Sequence, residues 1–178
     1  MKRAACALSA ALVLLTGCAR NEPAFPDENG AYHAEMLFDY SDDMPWGETK
    51  EFEVPEYPDV KFQWSDLDVT AIDDGEETSL YWGMPVWNVY LADLNGDGKR
   101  EICSAVSMGS GFVDERIYAY DFANGKLYEL SDRFSYNYKL ELRDEVLVYV
   151  KTPETAEEKE MSEPLTIDKM TEIDESQI

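Results

Sequence analysis

The part of this sequence best suited to chemistry is a nine-residue run rich in side-chain oxygens. Its oxygen-bearing side chains stand at relative positions 1, 3, 5 and 9, at Asp93, Asn95, Asp97 and Glu101. Gly96 permits a sharp turn, and the carbonyl of Lys99 can point into the same loop. Calcium binds hard oxygen ligands on a curled backbone, so the spacing predicts a calcium loop. The alternative is a tight turn of Asn, Asp and Gly that needs no metal.

The surroundings of this run separate it from some known calcium loops. An EF-hand places a bidentate Glu at position 12, where this chain has Ser104, so the run is not an EF-hand. Dockerin loops are duplicated and lead into helices, whereas this run occurs once, between strand-like segments 87–91 and 102–106. It therefore resembles the calcium loop of integrin-type propeller blades, known as FG-GAP-like or VCBS-like repeats. The resemblance implies side-chain ligands from Asp93, Asn95, Asp97 and Glu101 and a carbonyl ligand from Lys99.

Short strands separated by turns must position this loop. Alternating residues over 116–121 and 139–143 predict strands with one buried face, and Asn124-Gly125 is a strong hairpin signal. The predicted strands cover residues 51–54, 60–64, 67–72, 79–82, 86–92, 101–107, 116–122, 126–130, 138–142 and 146–150. We predict a mostly β fold, with one antiparallel β domain that contains a single propeller-blade-like unit. A complete propeller is not expected, because no segment of the chain repeats.

The N-terminus has the composition of a signal peptide. Lys2 and Arg3 precede an apolar run from Ala4 to Leu15, which is shorter than the roughly 20 residues of a membrane span. The segment Leu15-Thr16-Gly17-Cys18 resembles the lipobox of bacterial lipoproteins. That resemblance implies cleavage before Cys18 and a diacylglycerol on its sulfur. The alternative is a secretory signal peptide that is cleaved elsewhere.

Four segments follow from this reading. They are a lipoprotein signal peptide over 1–17, a lipidated tether over 18–31, a β-rich domain over 32–150 and an acidic, partly mobile tail over 151–178. Within the tail, Glu157–Met161 is a candidate helical turn and Leu165–Ile167 a candidate strand. Through its lipid, Cys18 is expected to anchor the protein to the cell membrane, facing outside.

The charge of the chain excludes several partners. The full sequence has 15 basic and 38 acidic residues, and loss of Lys2 and Arg3 with the signal peptide leaves a formal charge of −25. Nucleic acid and anionic polymers are repelled by such a field, while divalent cations are attracted.

Cys103 is the one cysteine left for the folded domain, and a buried position in a strand is expected for it.

A longer resemblance covers about a third of the chain, from Trp82 to Tyr138. It includes the segments Trp82–Tyr90, Ser107–Gly111 and Tyr118–Gly125 and the calcium run. This region resembles the extracellular domain appended to some β-lactam-sensor-type membrane metallopeptidases of Gram-positive anaerobes. The resemblance implies a surface binding or sensing domain whose ligand is unknown, and it favours a Gram-positive host. The peptidase itself does not carry over, because the only histidine is His33 and no His-Glu-x-x-His motif is present.

Two function classes remain. We expect a calcium-stabilised extracellular binding or sensing domain that is not an enzyme; the alternative is a cell-surface hydrolase, glycosidase-like, with paired carboxylates. Trp82 and Trp87 are candidates for stacking against a ligand, although aromatic residues of this kind more often pack in a core.

Overall fold

The computed structural model describes residues 34–39, 47–109, 114–132, 135–153 and 159–174. The signal peptide, the lipidation site Cys18 and the tether assigned to 18–31 lie outside these ranges, as do Ser110 and Gly111. Within the ranges, the one helical element is a 3-10 turn over Ile167–Lys169, and no helix has the length and apolarity of a membrane span.

The described chain consists of antiparallel β-strands joined by turns and loops. The strands are β1 (Ala34–Asp39), β2 (Thr49–Phe52), β3 (Lys61–Ser65), β4 (Asp68–Asp73), β5 (Glu76–Trp82), β6 (Asn88–Ala92), β7 (Glu101–Ser107), β8 (Glu115–Asp121), β9 (Lys126–Leu130), β10 (Tyr136–Arg143), β11 (Val146–Pro153), β12 (Met161–Pro164) and β13 (Thr171–Ile173). The predicted mostly β, antiparallel fold is confirmed.

Three sheets organise these strands. A six-stranded sheet has the order β1-β6-β7-β8-β9-β13, a four-stranded sheet the order β2-β3-β4-β5, and a three-stranded sheet the order β10-β11-β12. Strands β6 to β9 follow one another as a meander, the arrangement of a propeller blade. The sheets of the described residues do not close into a barrel or a propeller.

The six-stranded sheet is the central layer, because both of its faces are covered. One face carries Leu91, Ile102, Val106 and Tyr118, which form a core with Phe62, Trp64, Leu80 and Tyr81 of the four-stranded sheet. Since successive side chains of a strand point to opposite faces, the intervening residues belong to the other face. There the small residues Cys103, Ala105 and Ala119 pack with Tyr138, Leu140 and Leu147 of the three-stranded sheet.

This layering explains one difference from the sequence prediction. The alternation over 116–121 was expected to mark a strand with one buried face, yet every residue from Ile117 to Asp121 is buried. Tyr118 and Tyr120 face one neighbouring sheet while Ile117 and Ala119 face the other. The alternation therefore separates large from small buried side chains. Cys103 is buried in β7, as expected.

The C-terminal segment contributes to two sheets. The boundary drawn at residue 150 does not separate structures, because β11 continues to Pro153, β12 pairs with β11, and β13 pairs with β9. The predicted strand over 165–167 was wrong: the strand lies at Met161–Pro164, and Ile167 begins the 3-10 turn. The candidate helical turn at Glu157 falls largely outside the described residues.

Candidate metal centre

The predicted calcium run connects two neighbouring strands of the central sheet. Asp93 directly follows β6, and Glu101 is the first residue of β7, where it pairs with Ala92. Asp121 ends β8, the next strand of the same sheet. Because these strands are antiparallel, the three carboxylates lie at the same end of the three neighbouring strands.

The first half of the loop is folded around Asp93. The backbone N–H groups of Gly96 and Gly98 donate to the two carboxylate oxygens of Asp93 at 2.7 and 2.9 Å. Both glycines have positive φ angles, 80° and 83°, which residues other than glycine rarely adopt. The N–H of Asp97 donates to Asn95 Oδ1 at 2.9 Å, and Asp97 Oδ1 accepts from the N–H of Lys99 at 2.8 Å. These bonds curl the backbone as the sequence predicted.

Glu101 is as deeply buried as Asp93, and each has 1% of its surface exposed. Its Oε2 accepts from the N–H of Leu94 and its Oε1 from the amide nitrogen of Asn95, each at 2.6 Å. Burial, together with the charges of Asp121 and Asp93, raises the pKa of Glu101 to about 8. Burial penalises an ionised carboxylate unless a positive charge compensates it.

Asp121 belongs to this centre, although the sequence analysis did not single it out. It is buried, accepts from the backbone N–H of Asn124 at 3.0 Å, and lies 3.4 Å from the amide nitrogen of Asn95. In the sequence it lies within the predicted strand 116–122, where nothing marks it as a metal ligand. The pairing of β7 with β8 brings Asp121 beside the loop, and no pattern in the neighbouring sequence predicts that pairing.

The basic residues nearest in sequence are engaged elsewhere. The Arg100 guanidinium pairs with Glu56 at 2.6 Å and with Glu35 at 3.0 Å, while Lys99 Nζ lies 5.9 Å from the ring centre of Tyr57. Among the residues that the structure describes, no Lys or Arg forms an ion pair with Asp93, Glu101 or Asp121. Three buried carboxyl groups therefore lie together, and within the described ranges no Lys or Arg is ion-paired with them.

A buried hydroxyl group, that of Tyr57, lies beside the centre. The hydroxyl of Tyr57 is buried and has no hydrogen-bond partner in the described chain. Burial and the charges of Asp121 and Asp97 raise the pKa of Tyr57 to about 12, so this ring lies within electrostatic range of both acids. A calcium ion commonly retains water ligands, and such a hydroxyl is a suitable partner for one.

The residue types are suitable calcium ligands, but their side chains do not surround one common position in this structure. No three Asp, Glu, His or Cys side chains in the described ranges converge on a single metal position. Asn95 turns its nitrogen toward Glu101, and Asp97 is bonded to the backbone of the loop. Rotation of the Asn95 amide would present its oxygen instead, because the two ends of an amide have nearly the same shape.

Trp82 and Trp87, the candidates for ligand stacking, lie in different surroundings. Trp82 ends β5 and is 38% exposed. Trp87 is half-buried and lines a cleft beside β10, a cleft to which Trp82 does not contribute. The two tryptophans therefore do not line one common cleft.

Known proteins provide no assignment for this arrangement. The chain matches no protein-family model, and neither the curated proteins nor the solved structures include a significant match.

Proposed function

We propose that this chain is an exported lipoprotein, held at the outer side of the cell membrane by lipid on Cys18, with a calcium-stabilised domain that binds or senses an extracellular ligand. The lipobox resemblance supports the anchor. One structural observation carries the calcium proposal: Asp93, Glu101 and Asp121 are buried together, and no cationic side chain of the described chain pairs with them. A bound divalent cation compensates such a charge.

Asp93, Asn95, Asp97 and Glu101 would hold the ion with side-chain oxygens, and Lys99 with its carbonyl. A calcium ion bound there would supply positive charge and accept these oxygen ligands, with no redox chemistry. Asp93 and Glu101 sit at the facing ends of β6 and β7, so an ion between them joins two central strands. The expected role is therefore to stabilise the connection between these two strands.

Calcium is expected to raise the melting temperature of the mature chain. For an affinity near 0.1 mM, typical of extracellular calcium modules, about 2 mM calcium adds roughly 1.8 kcal/mol by mass action. For a chain of this size, that corresponds to a rise of about 4–7 °C. Thermal melts in EDTA and in calcium measure the shift, and Asp97→Ala should abolish it.

A matched variant controls for general screening of the acidic surface. Asp73→Ala removes the same charge from another exposed turn, at the end of β4, and should keep the full calcium response. Equal shifts in the wild type, Asp97→Ala and Asp73→Ala would mean that calcium acts on net charge. No shift in any of them would leave segment 93–101 as a metal-free turn.

Substitution of Cys18 tests the anchor directly. In cells fed an alkyne-tagged fatty acid, the wild-type chain should incorporate the tag and sediment with membranes, because its thiol carries lipid. Cys18→Ser should lose both properties, since serine lacks the sulfur to which the lipid is attached. Cys103→Ser is the control and should retain the label, because the Cys103 thiol is buried. Labelling that survives Cys18→Ser would refute this anchor.

The hydrolase alternative has one observation in its favour. Glu115 lines the same cleft as Asp39 and Glu141, and burial raises the pKa of Glu115. A carboxylic acid with a raised pKa paired with a second carboxyl group is the arrangement that glycosidases use. Release of shorter products from an oligosaccharide would favour this alternative.

A further inference from the structure

Strand β5 forms one edge of the four-stranded sheet. It pairs with β4 along one side, and within the described ranges no strand pairs with its other side. An edge strand carries a row of backbone N–H and C=O groups that can bond to an added strand. The seven residues of β5, Glu76–Trp82, give this edge the length of an ordinary strand.

Both ends of β5 are held in place. A two-residue turn at Asp74-Gly75, with positive φ angles of 50° and 84°, joins the strand tightly to β4. At the other end, Leu80 and Tyr81 are buried in the core, and the hydroxyl of Tyr81 lies 2.7 Å from Ser104 Oγ of the central sheet. A peptide that adds to this edge therefore orders little of the protein, which lowers the entropic cost of binding.

The first half of β5 is exposed and acidic. Every residue from Asp73 to Ser79 is exposed. Four carboxylates stand within residues 73–77, at Asp73, Asp74, Glu76 and Glu77. Among the described residues, none of these four acids forms an ion pair with Lys or Arg. The edge therefore presents backbone hydrogen-bonding groups beside uncompensated negative charge.

This charge selects among the strands that could add to the edge. A second copy of β5 would bring Glu76 and Glu77 close to like charges, and directly opposed like charges destabilise a strand pair. A basic strand gains instead, because opposite charges across a strand pair stabilise it. The net negative charge of the whole chain attracts the same class of ligand.

We propose that the outer edge of β5 binds an extended, lysine- or arginine-rich peptide as a fifth strand of this sheet. Main-chain hydrogen bonds supply the affinity, and Glu76 and Glu77 supply the preference for basic side chains. A cleft of about 600 Å³, lined in part by Asp73, Glu76 and Thr78, gives space beside the strand for a basic side chain. This inference rests on the proposed function, since it supplies the ligand of the surface domain.

The test uses the mature chain with Cys18→Ser, which needs no detergent, in 2 mM calcium. The probes are three blocked seven-residue peptides of alternating lysine and valine, glutamate and valine, or lysine and proline. In isothermal titration calorimetry, the lysine–valine peptide should bind and the glutamate–valine peptide should not. The lysine–proline peptide keeps the charge but lacks N–H groups for the ladder, so it should bind at least about tenfold more weakly.

Paired variants locate the site on β5. Glu76→Gln with Glu77→Gln should weaken binding of the lysine–valine peptide about three- to tenfold, the scale of two exposed ion pairs. Glu48→Gln with Glu53→Gln is the matched control, because both residues are exposed and flank β2, the opposite edge of the same sheet. Its affinity should stay within about twofold of the wild type. The reverse pattern would place the peptide at β2 and overturn the proposal.

Amide hydrogen exchange followed by NMR tests strand addition without any change in β5. The lysine–valine peptide should slow exchange at alternate amides of β5 and leave those of β2 unchanged, because an added strand bonds the N–H groups on one side only. No added protection in β5, or protection in β2 instead, would overturn the proposal. Protection of the same β5 amides in a dimer without peptide would also overturn it, because a second copy would then occupy the edge.

Further outcomes separate this inference from the proposed function. Absence of binding by a chain that still shows the calcium shift in melting temperature would overturn the edge site alone. Binding by a chain without a calcium shift would support the edge site while the calcium proposal fails. Equal affinity for the lysine–proline peptide would overturn strand addition, because charge alone would then account for binding.

Discussion

In EDTA, the protein is expected to lose stability as the pH rises from about 5 to about 9, because Glu101 must give up its proton inside the fold. Burial, with the charges of Asp121 and Asp93, raises the pKa of Glu101 from 4.5 to about 8. The folded state therefore holds this proton more tightly than the unfolded state. The resulting stabilisation is complete below the unfolded pKa and is lost as the pH passes through the folded one. Each pKa unit corresponds to about 1.4 kcal/mol, so the total loss is several kcal/mol.

Urea unfolding at a series of pH values measures this loss. Glu101→Gln removes the titrating group and should flatten the profile, whereas Glu53→Gln, at an exposed position, should reproduce the wild-type slope. Calcium should act in the opposite sense, because coordination needs the ionised carboxylate, so its stabilising effect should grow with pH. A wild-type profile in EDTA that is already flat would contradict the raised pKa of Glu101 in the folded protein.

Trp64→Ala is expected to destabilise the protein by about 3–5 kcal/mol, the cost of emptying a buried aromatic site. Trp64 is fully buried, stacks on Phe38 of β1 at 5.0 Å between ring centres, and donates its indole N–H to the carbonyl of Val86 at 3.2 Å. It therefore links the four-stranded sheet to the central sheet. Its loss would remove these contacts and leave the Val86 carbonyl without that partner.

Chemical denaturation in calcium quantifies this effect. Trp64→Phe keeps a ring for Phe38 but loses the indole hydrogen bond, so a smaller loss of about 1–2 kcal/mol is expected. Trp82→Ala is the exposed comparison and should stay within about 0.5 kcal/mol of the wild type. A loss below about 1 kcal/mol for Trp64→Ala would show that the interface between these sheets contributes little to stability.

Local patterns in the sequence account for much of the fold and for part of the site. The curled run from Asp93 to Glu101 was predicted from its spacing, because Asp and Asn side chains bond to nearby backbone groups and Gly accepts positive φ. The strands between residues 49 and 153 were predicted to within a few residues for the same reason: alternation and turn chemistry are local. The calcium itself stays a prediction.

What the sequence did not predict depends on pairing between distant residues. Strand β1 pairs with β6, and β13 with β9, and no local pattern reports either pairing. Asp121 joins the candidate metal centre only because β8 lies beside β7. The cleft at Trp87 likewise exists only because β10 packs on the central sheet. The burial of the central sheet on both faces was missed because alternating large and small residues resemble alternating buried and exposed ones.

The two edges of the central sheet have a consequence for how the protein folds. The first described strand, β1, forms one edge, and the last, β13, forms the other. A chain that emerges N-terminus first cannot complete this sheet until Ile173 has appeared. Pairings between residues far apart in sequence slow folding and leave strand edges unpaired for longer. If the chain is exported unfolded, its strand edges would be unpaired, and prone to aggregate, outside the membrane. There the charge repulsion between acidic chains would hinder edge-to-edge aggregation.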